Sequence, residues 1–389
     1  MWFKTAILYR IHQPPELAAD ALSAALEEHQ SRPLEGNNPK RMGWTAPAGR
    51  KSDMLLHELQ GHRLMTALRQ ERLLPASVVR EEVEERCDEI EDREGRKLRR
   101  QERITIKEQV IEELLPRAFV RSKKVDLWWD TRRNLICVSA GSRKAAEEVL
   151  DLLRETLGSL KVTPLATQEL PVRAMTRWLS EPDSRPAWLL LGDQAQLKSK
   201  GDDASFTARQ ADLEGDEVRS MVEAGRQATK IAITLEGQAS LVLQDDFTFK
   251  SLRFDDALIE EANNAEDDGD AVIRLETDFV LMADALAHII EQMLAALGGE
   301  AQATPAKAEA SPENAAGEGD PSDSRGAADE QAPAGSGDDA VATEHAEVSA
   351  SASLHTDDDE GRAGGDSNPR ESLGDTSEQD AIEGEPAPA

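Results

Sequence analysis

The sequence predicts an α+β fold, and three observations carry that prediction. Short runs with strand-like alternation are interleaved with longer amphipathic stretches, in no strict βαβ order. A polar stretch between Pro75 and Pro116 carries two narrow apolar stripes separated by Gly95, as two helices folded back on each other would. The last apolar stretch, Thr277 to Leu297, repeats Phe279, Met282, Leu286, Ile289, Ile290 and Met293 at helical spacing and ends on Gly298-Gly299.

Taken in order, Trp2 to Ile11 alternates as a strand and is broken by Pro14-Pro15. Glu16 to His29 is rich in Ala, Leu and Glu and reads as a helix. Ser31 to Lys51 is expected to be a loop holding Met42-Gly43-Trp44. Asp53 to His57 and Arg63 to Glu71 read as paired strands around Gly61. Ser77 is the expected N-cap of the first hairpin helix, with acids at 81, 82, 84 and 85 near its start. Its stripe is Val79, Val83, Cys87 and Ile90; that of the second helix is Leu98, Ile106, Val110 and Leu114, stopped by Pro116. Val125 to Asp130 and Leu135 to Ala140 flank a turn at Thr131 to Asn134. Ser142 opens a helix closed by Gly158. After a boundary near Pro164 to Arg173 come an apolar run at Trp188 to Leu191 and strands at Phe206–Ala211, Lys230–Leu235, Ala239–Leu243 and Phe247–Phe254. Gly215 to Ala224 is helical, and Asp256 to Asp270 is helix or loop. The expected organisation is a central α+β domain of residues 1–74 plus 117–165, a helical hairpin tip at 75–116, an α+β base domain at 166–299, and a tail at 300–389.

Charge separates the tail from the rest. The chain has 389 residues and net charge −31, and residues 301–389 hold 22 acids against 4 bases and no aromatic residue. Such a segment cannot bury enough apolar surface to offset the entropy of ordering, so disorder is expected. Residues 1–300 keep 41 bases against 54 acids, so concentrated positive charge there needs a reason. Two cysteines, Cys87 and Cys137, without metal or redox spacing fit a reducing, cytoplasmic compartment. No apolar run approaches the ~20 residues of a membrane span, so no membrane association is expected.

Catalytic patterns are weak. His57-Glu-Leu-Gln-Gly-His62 misses the zinc-binding spacing by one residue and reads as β, so no metal site and no cofactor are expected. Asp245-Asp246 and Asp255-Asp256 could hold Mg²⁺ as a nuclease pair does, but a turn acid and a strand-end acid are the simpler reading. Phe3, Trp128 and Trp129 could stack on bases, yet tryptophan at strand positions is more often core. What remains is basic clusters: Arg96, Lys97, Arg99 and Arg100 at the hairpin turn; Arg117, Arg121, Lys123 and Lys124 after it; and Arg132-Arg133, Arg143-Lys144, Arg209, Arg226 and Lys230. Lysine and arginine spread over discontinuous segments, with no base-reading module, suit non-specific duplex binding through phosphates. The expectation is a binding protein, not an enzyme. The alternatives are a metal-dependent nuclease using the paired aspartates, or a protein–protein scaffold with a solvated charged hairpin.

Short matches in order carry a resemblance. They are Trp2-Phe3-Lys4, Met42-Gly43-Trp44, Leu73-Leu74-Pro75, Leu114-Leu115-Pro116-Arg117-Ala118-Phe119, Leu152-Leu153-Arg154, Leu157-Gly158-Ser159-Leu160, Glu223-Ala224-Gly225-Arg226 with Thr229-Lys230, and Asp278-Phe279-Val280-Leu281-Met282. Over about residues 1–300 the chain resembles the bacterial recombination-associated protein RdgC family. The resemblance implies a horseshoe-shaped monomer that pairs into a ring homodimer around double-stranded DNA, with single strands as a further ligand. It also implies restraint of the RecA recombinase, on the nucleoid. By position it assigns Arg96, Arg117, Arg209, Gln210 and Arg226 to DNA contact, and Phe119 to the dimer interface. Arginine stands at 209 and 226 where the family more usually has lysine, which keeps the charge. The tail lies outside the family pattern, and its acids are expected to compete with DNA for the positive lining.

Overall fold

The computed structural model describes residues 2–199, 204–264 and 269–301, all within one compact unit, Met1–Glu309. The expected disorder of the tail, and its competition with DNA, fall on residues outside these. Among the described residues are eight α-helices and two antiparallel sheets, so the α+β class stands.

The first sheet has seven strands: β1 (Ile7–Ile11), β2 (Lys40–Thr45), β3 (His57–Leu59), β4 (His62–Leu73), β5 (Phe119–Asp130), β6 (Leu135–Ser139) and β7 (Val162–Pro164). Their order is β2-β4-β5-β6-β1-β7, with β3 on β4. Alternation decides which face each residue serves. Val125, Leu127 and Trp129 of β5 pack with Leu22 and Leu26 of α1 (Ala19–Glu28) and with Val149, Leu150 and Leu153 of α4 (Arg143–Leu157). Between them Trp128 points to the opposite side, into a larger core. Trp128 and Trp129 are thus both interior, as is Phe3, and none can stack on a base. As expected, the Ser142 hydroxyl accepts from the N–H of Ala145, and Gly158 closes α4 in the left-handed region.

The second sheet has five strands: β8 (Leu189–Lys198), β9 (Ser205–Ala208), β10 (Gln227–Leu235), β11 (Ala239–Gln244) and β12 (Phe249–Phe254), in the order β12-β11-β10-β8-β9. Ile231, Ile233 and Leu235 face the core shared with α5 (Pro171–Ser180), α6 (Asp216–Glu223) and α8 (Ala271–Ala296). The helix α7 (Asp256–Asn264) precedes α8, and residues 265–268 between them lie outside the described residues. The two sheets meet at a bridge between Ala6 and Phe249, with N–H to O distances of 2.9 and 3.0 Å.

Several expectations are corrected. Met42-Gly43-Trp44 lies in β2 rather than a loop, because Trp44 is fully buried and Gly43 lets the backbone of Ser31 approach within 2.7 Å of where a Cβ would sit. The apolar run at 188–191 is only the start of the ten-residue β8. β5 begins at Phe119, not Val125. α8 begins six residues early, at Ala271, where the preceding Asp270 accepts from the N–H of Val272. At 26 residues, α8 is long and apolar enough to cross a membrane by length and composition, contrary to expectation. Eight of its side chains are buried in the core.

Candidate nucleic-acid interface

The hairpin forms from its two stripes. α2 (Ala76–Glu94) and α3 (Arg100–Leu114) pack through Val79, Cys87, Ile106 and Val110, with Val83, Ile90, Leu98 and Leu114 alongside. Gly95 takes φ 65° and ends α2. Ion pairs fix the antiparallel register: Arg86 meets Glu113 at 2.7 Å, and Glu91 meets Arg103 at 2.8 Å. The expected Ser77 cap is absent. Pro75 precedes the helix with no side-chain cap, and its carbonyl already accepts from the N–H of Val79.

Most of the predicted basic residues fall in three places; Arg132 and Arg133 instead pair with Asp284 and Glu291 of α8, and Arg143 with Asp246. The turn group stands at the end of a 19-residue helix, about 28 Å from the hairpin root at 1.5 Å per residue. Two of its four charges are answered locally. Arg96 pairs with Glu94 (2.8 Å) and Glu102 (2.7 Å), and Lys97 with the nearly buried Glu91 (2.6 Å). Arg99 and Arg100 make no ion pair with a described residue. Lys97, the N–H of Leu98 and Arg103 hold the Glu91 carboxyl down at about 2. Arg96 and the N–H of Arg99 hold Glu102 at about 2 as well. A carboxyl depressed on folding stabilises above its unfolded value, near 4.3, and loses that contribution as pH falls toward 2. A carbon-detected NMR titration is therefore expected to place the Glu91 midpoint near 2. Lys97→Gln with Arg103→Gln should return it toward the ordinary carboxylate range. A wild-type midpoint near 4 would contradict these contacts.

The second group lies on β4 and β5. β5 runs beyond the end of β6, so residues 119–124 are exposed at an overhang, paired with β4, which β2 covers on its other side as far as Glu71. Arg121 is held by Glu71, which it draws below the usual carboxylate range. Arg117 and Lys123 make no ion pair with a described residue, and Lys124 reaches only the carbonyl of Ala46 at 3.4 Å. Phe119 is 86% exposed at the start of β5, opposite exposed Leu73 and next to exposed Val120. Next to it, Leu74, Val79, Val83 and Ile111 line an apolar groove flanked by Arg80 and Lys107.

The third group is the face of the second sheet turned away from the core. Between buried neighbours, Lys230, Gln194, Gln196, Lys198, Lys250 and Arg253 point outward. With Arg209 and Gln244 several of these line an open groove along the strands. Gly192 is needed there, because an added Cβ would lie 2.8 Å from that of Ala232. Arg209, Arg226 and Lys230 make no ion pair with a described residue. Gln210 takes φ 49° just past β9. Lys250 was not singled out from the sequence; a lysine flanked by buried Phe249 and Leu252 is the available signal. The second and third groups adjoin, since Lys123 of β5 and Lys250 of β12 both approach Gly141. The hairpin turn stays apart from both.

The catalytic candidates have local duties. Asp246 is held by Arg143 at 2.8 Å and accepts from the N–H of Thr248, and Asp255 accepts from the N–H of Ala257. His57 and His62 are buried and face Glu276 (2.8 Å) and Asp284 (3.0 Å) of α8. Among the described residues no group of three or more His, Cys, Asp or Glu side chains is placed to hold a metal ion.

The family described as "Putative exonuclease, RdgC" matches residues 1–300. A protein of Tolumonas auensis is 38% identical over 301 residues, covering 77% of this chain and 99% of its own length. Proteins of Pasteurella multocida and Yersinia enterocolitica are each 37% identical, covering 77% and 78% of this chain and 98% and 99% of theirs. All three bear the name "Recombination-associated protein RdgC". On the match over its first 300 residues and these relatives, the chain belongs to the RdgC family.

Proposed function

We propose that this protein binds duplex DNA without sequence preference, as a ring-shaped homodimer of horseshoe-like protomers, and so restrains RecA-driven recombination on the nucleoid. The observation that carries the reading is the adjoining pair of basic surfaces, on β5 and on the open face of the second sheet, whose lysines and Arg209 make no ion pair with a described residue. The open face carries glutamine, lysine and arginine, one acid (Asp193) and no aromatic side chain, which suits phosphates rather than stacked bases. Phe119 and the neighbouring groove supply a knob and a hole that a two-fold axis would pair reciprocally.

The test is a titration of duplex against salt. Neutralising about six phosphates gives a log–log slope near −5, so affinity should fall about a thousandfold between 50 and 200 mM salt, equally for scrambled sequences. A slope shallower than about −2 would reject the reading. Cleavage through the paired aspartates is the weaker reading, because Asp246 is already held by Arg143. Duplex incubated with Mg²⁺ is expected to stay intact.

A further inference from the structure

The apolar groove at the hairpin root has a charged rim that a second copy's Phe119 does not account for. Its floor is Leu74, Val79, Val83 and Ile111, and its volume is about 390 Å³. Val79 and Val83 lie one turn apart on α2 and Ile111 faces them from α3, so the groove is an open stretch of the hairpin seam. Arg80 and Lys107 stand on the rim, and no described acid lines it. Both are exposed, and neither makes an ion pair with a described residue. α2 carries nine acids against three bases, so two unanswered cations at this one apolar opening reverse the local sign of the hairpin. Ile104, 39% exposed, shares a face of α3 with Lys107 and Ile111 and lengthens the apolar line toward the hairpin turn. Phe119 suits the floor, but the residues two positions to either side of it are Arg117 and Arg121. Glu71 engages Arg121, whereas Arg117 makes no ion pair with a described residue. A second copy therefore brings a free cation toward Arg80 and Lys107, and like charges across an interface oppose it.

We propose that this groove docks an acidic, amphipathic segment of a partner protein, which displaces Phe119 of the second copy and opens the ring. Apolar side chains at helical spacing enter the floor and run on over Ile104, while carboxylates beside them reach Arg80 and Lys107. Floor and rim are then answered by one ligand. The competition rests on the ring proposed above; the docking does not.

The probe is a fluorescein-labelled peptide of about 14 residues, four helical turns, with leucines on one face among glutamates. Its companions are the same peptide with glutamine for glutamate, and a scrambled glutamate peptide of identical composition. Anisotropy titrations use the full chain, as wild type and as Arg80→Gln with Lys107→Gln. The wild type should bind the glutamate peptide about five- to tenfold more tightly than the glutamine peptide, from two exposed charge contacts. In a chain of net charge −31, overall electrostatics would give the opposite order. The scrambled peptide carries the same charge to the basic surfaces and measures binding there. The rim variant should lose the preference for glutamate yet keep wild-type affinity for the glutamine peptide, which needs only the floor and so reports an intact fold. In sedimentation velocity, excess glutamate peptide should move the wild type from dimer toward monomer, and the scrambled peptide should not. Equal affinity for glutamate and scrambled peptides, or an unchanged preference in the rim variant, would overturn the docking site and leave the groove to the second copy. Specific binding with no loss of dimer would overturn the competition. A wild type that is monomeric at every concentration without peptide would overturn the ring, and the anisotropy data would then judge the docking alone.

Discussion

Replacing Trp128 by alanine is expected to cost about 3–5 kcal/mol of folding stability, the usual range for truncating a buried aromatic side chain. Trp128 is fully buried in the core that β5 shares with the second sheet. Its indole N–H donates to Nδ1 of His62 at 3.1 Å. Nε2 of the same ring faces the Asp284 carboxylate of α8 at 3.0 Å, with the Arg132 guanidinium against it as well. His62 in turn stands edge-on to Phe279, with centroids 6.4 Å apart. Truncation therefore opens a cavity and strands a buried nitrogen, which alone costs about 1–3 kcal/mol. Trp128→Phe keeps most of the ring volume and loses the bond, so its loss should be smaller. Guanidinium unfolding measures both variants. A loss under about 1 kcal/mol for alanine would mean that this indole does not anchor α8 to the first sheet.

The same residue marks what was legible in the sequence. A tryptophan in an alternating strand run belongs inside, and both Trp128 and Trp129 are there because the sheet is covered on both faces. The hairpin seam was legible too, because a two-helix hairpin buries one line of side chains and Val79, Cys87, Ile106 and Val110 are that line. The outer half of β5 was not. Residues 119–124 are wet on both faces, so no period-two contrast exists to be read. β8 was obscured by Gly192-Asp193 and by the register shifts where it pairs with β10. The charge pattern alone leaves Arg96 and Lys97 looking free, but in the folded hairpin Glu94 and Glu102 pair with the first and Glu91 with the second. Lys250 was invisible for a related reason. One lysine in β12 says nothing until the fold brings Lys123 and Lys230 to it, 127 and 20 residues away respectively.

Phe119→Asp is expected to abolish the proposed dimer while leaving the protomer folded. At 86% exposure this side chain contributes little to the isolated protomer, so unfolding should shift by no more than about 0.5 kcal/mol. In the proposed pairing it enters the partner's apolar groove beside Leu74, Val83 and Ile111, where aromatic anchors dominate binding energy. Truncating such an anchor commonly costs 2 kcal/mol or more, and a buried carboxylate adds a desolvation penalty, so dissociation should strengthen by at least about a hundredfold. Because a two-fold axis uses the contact twice, one substitution removes both copies. Sedimentation velocity over a concentration series reads the outcome directly. The functional corollary separates topology from charge. Opening the ring leaves Lys123, Lys230, Lys250 and Arg209 in place, so affinity for short linear duplex should change far less than retention on closed circular DNA. A variant that sediments as the wild type does at every concentration would remove Phe119 from the interface, and with it the argument that the hairpin root closes a ring.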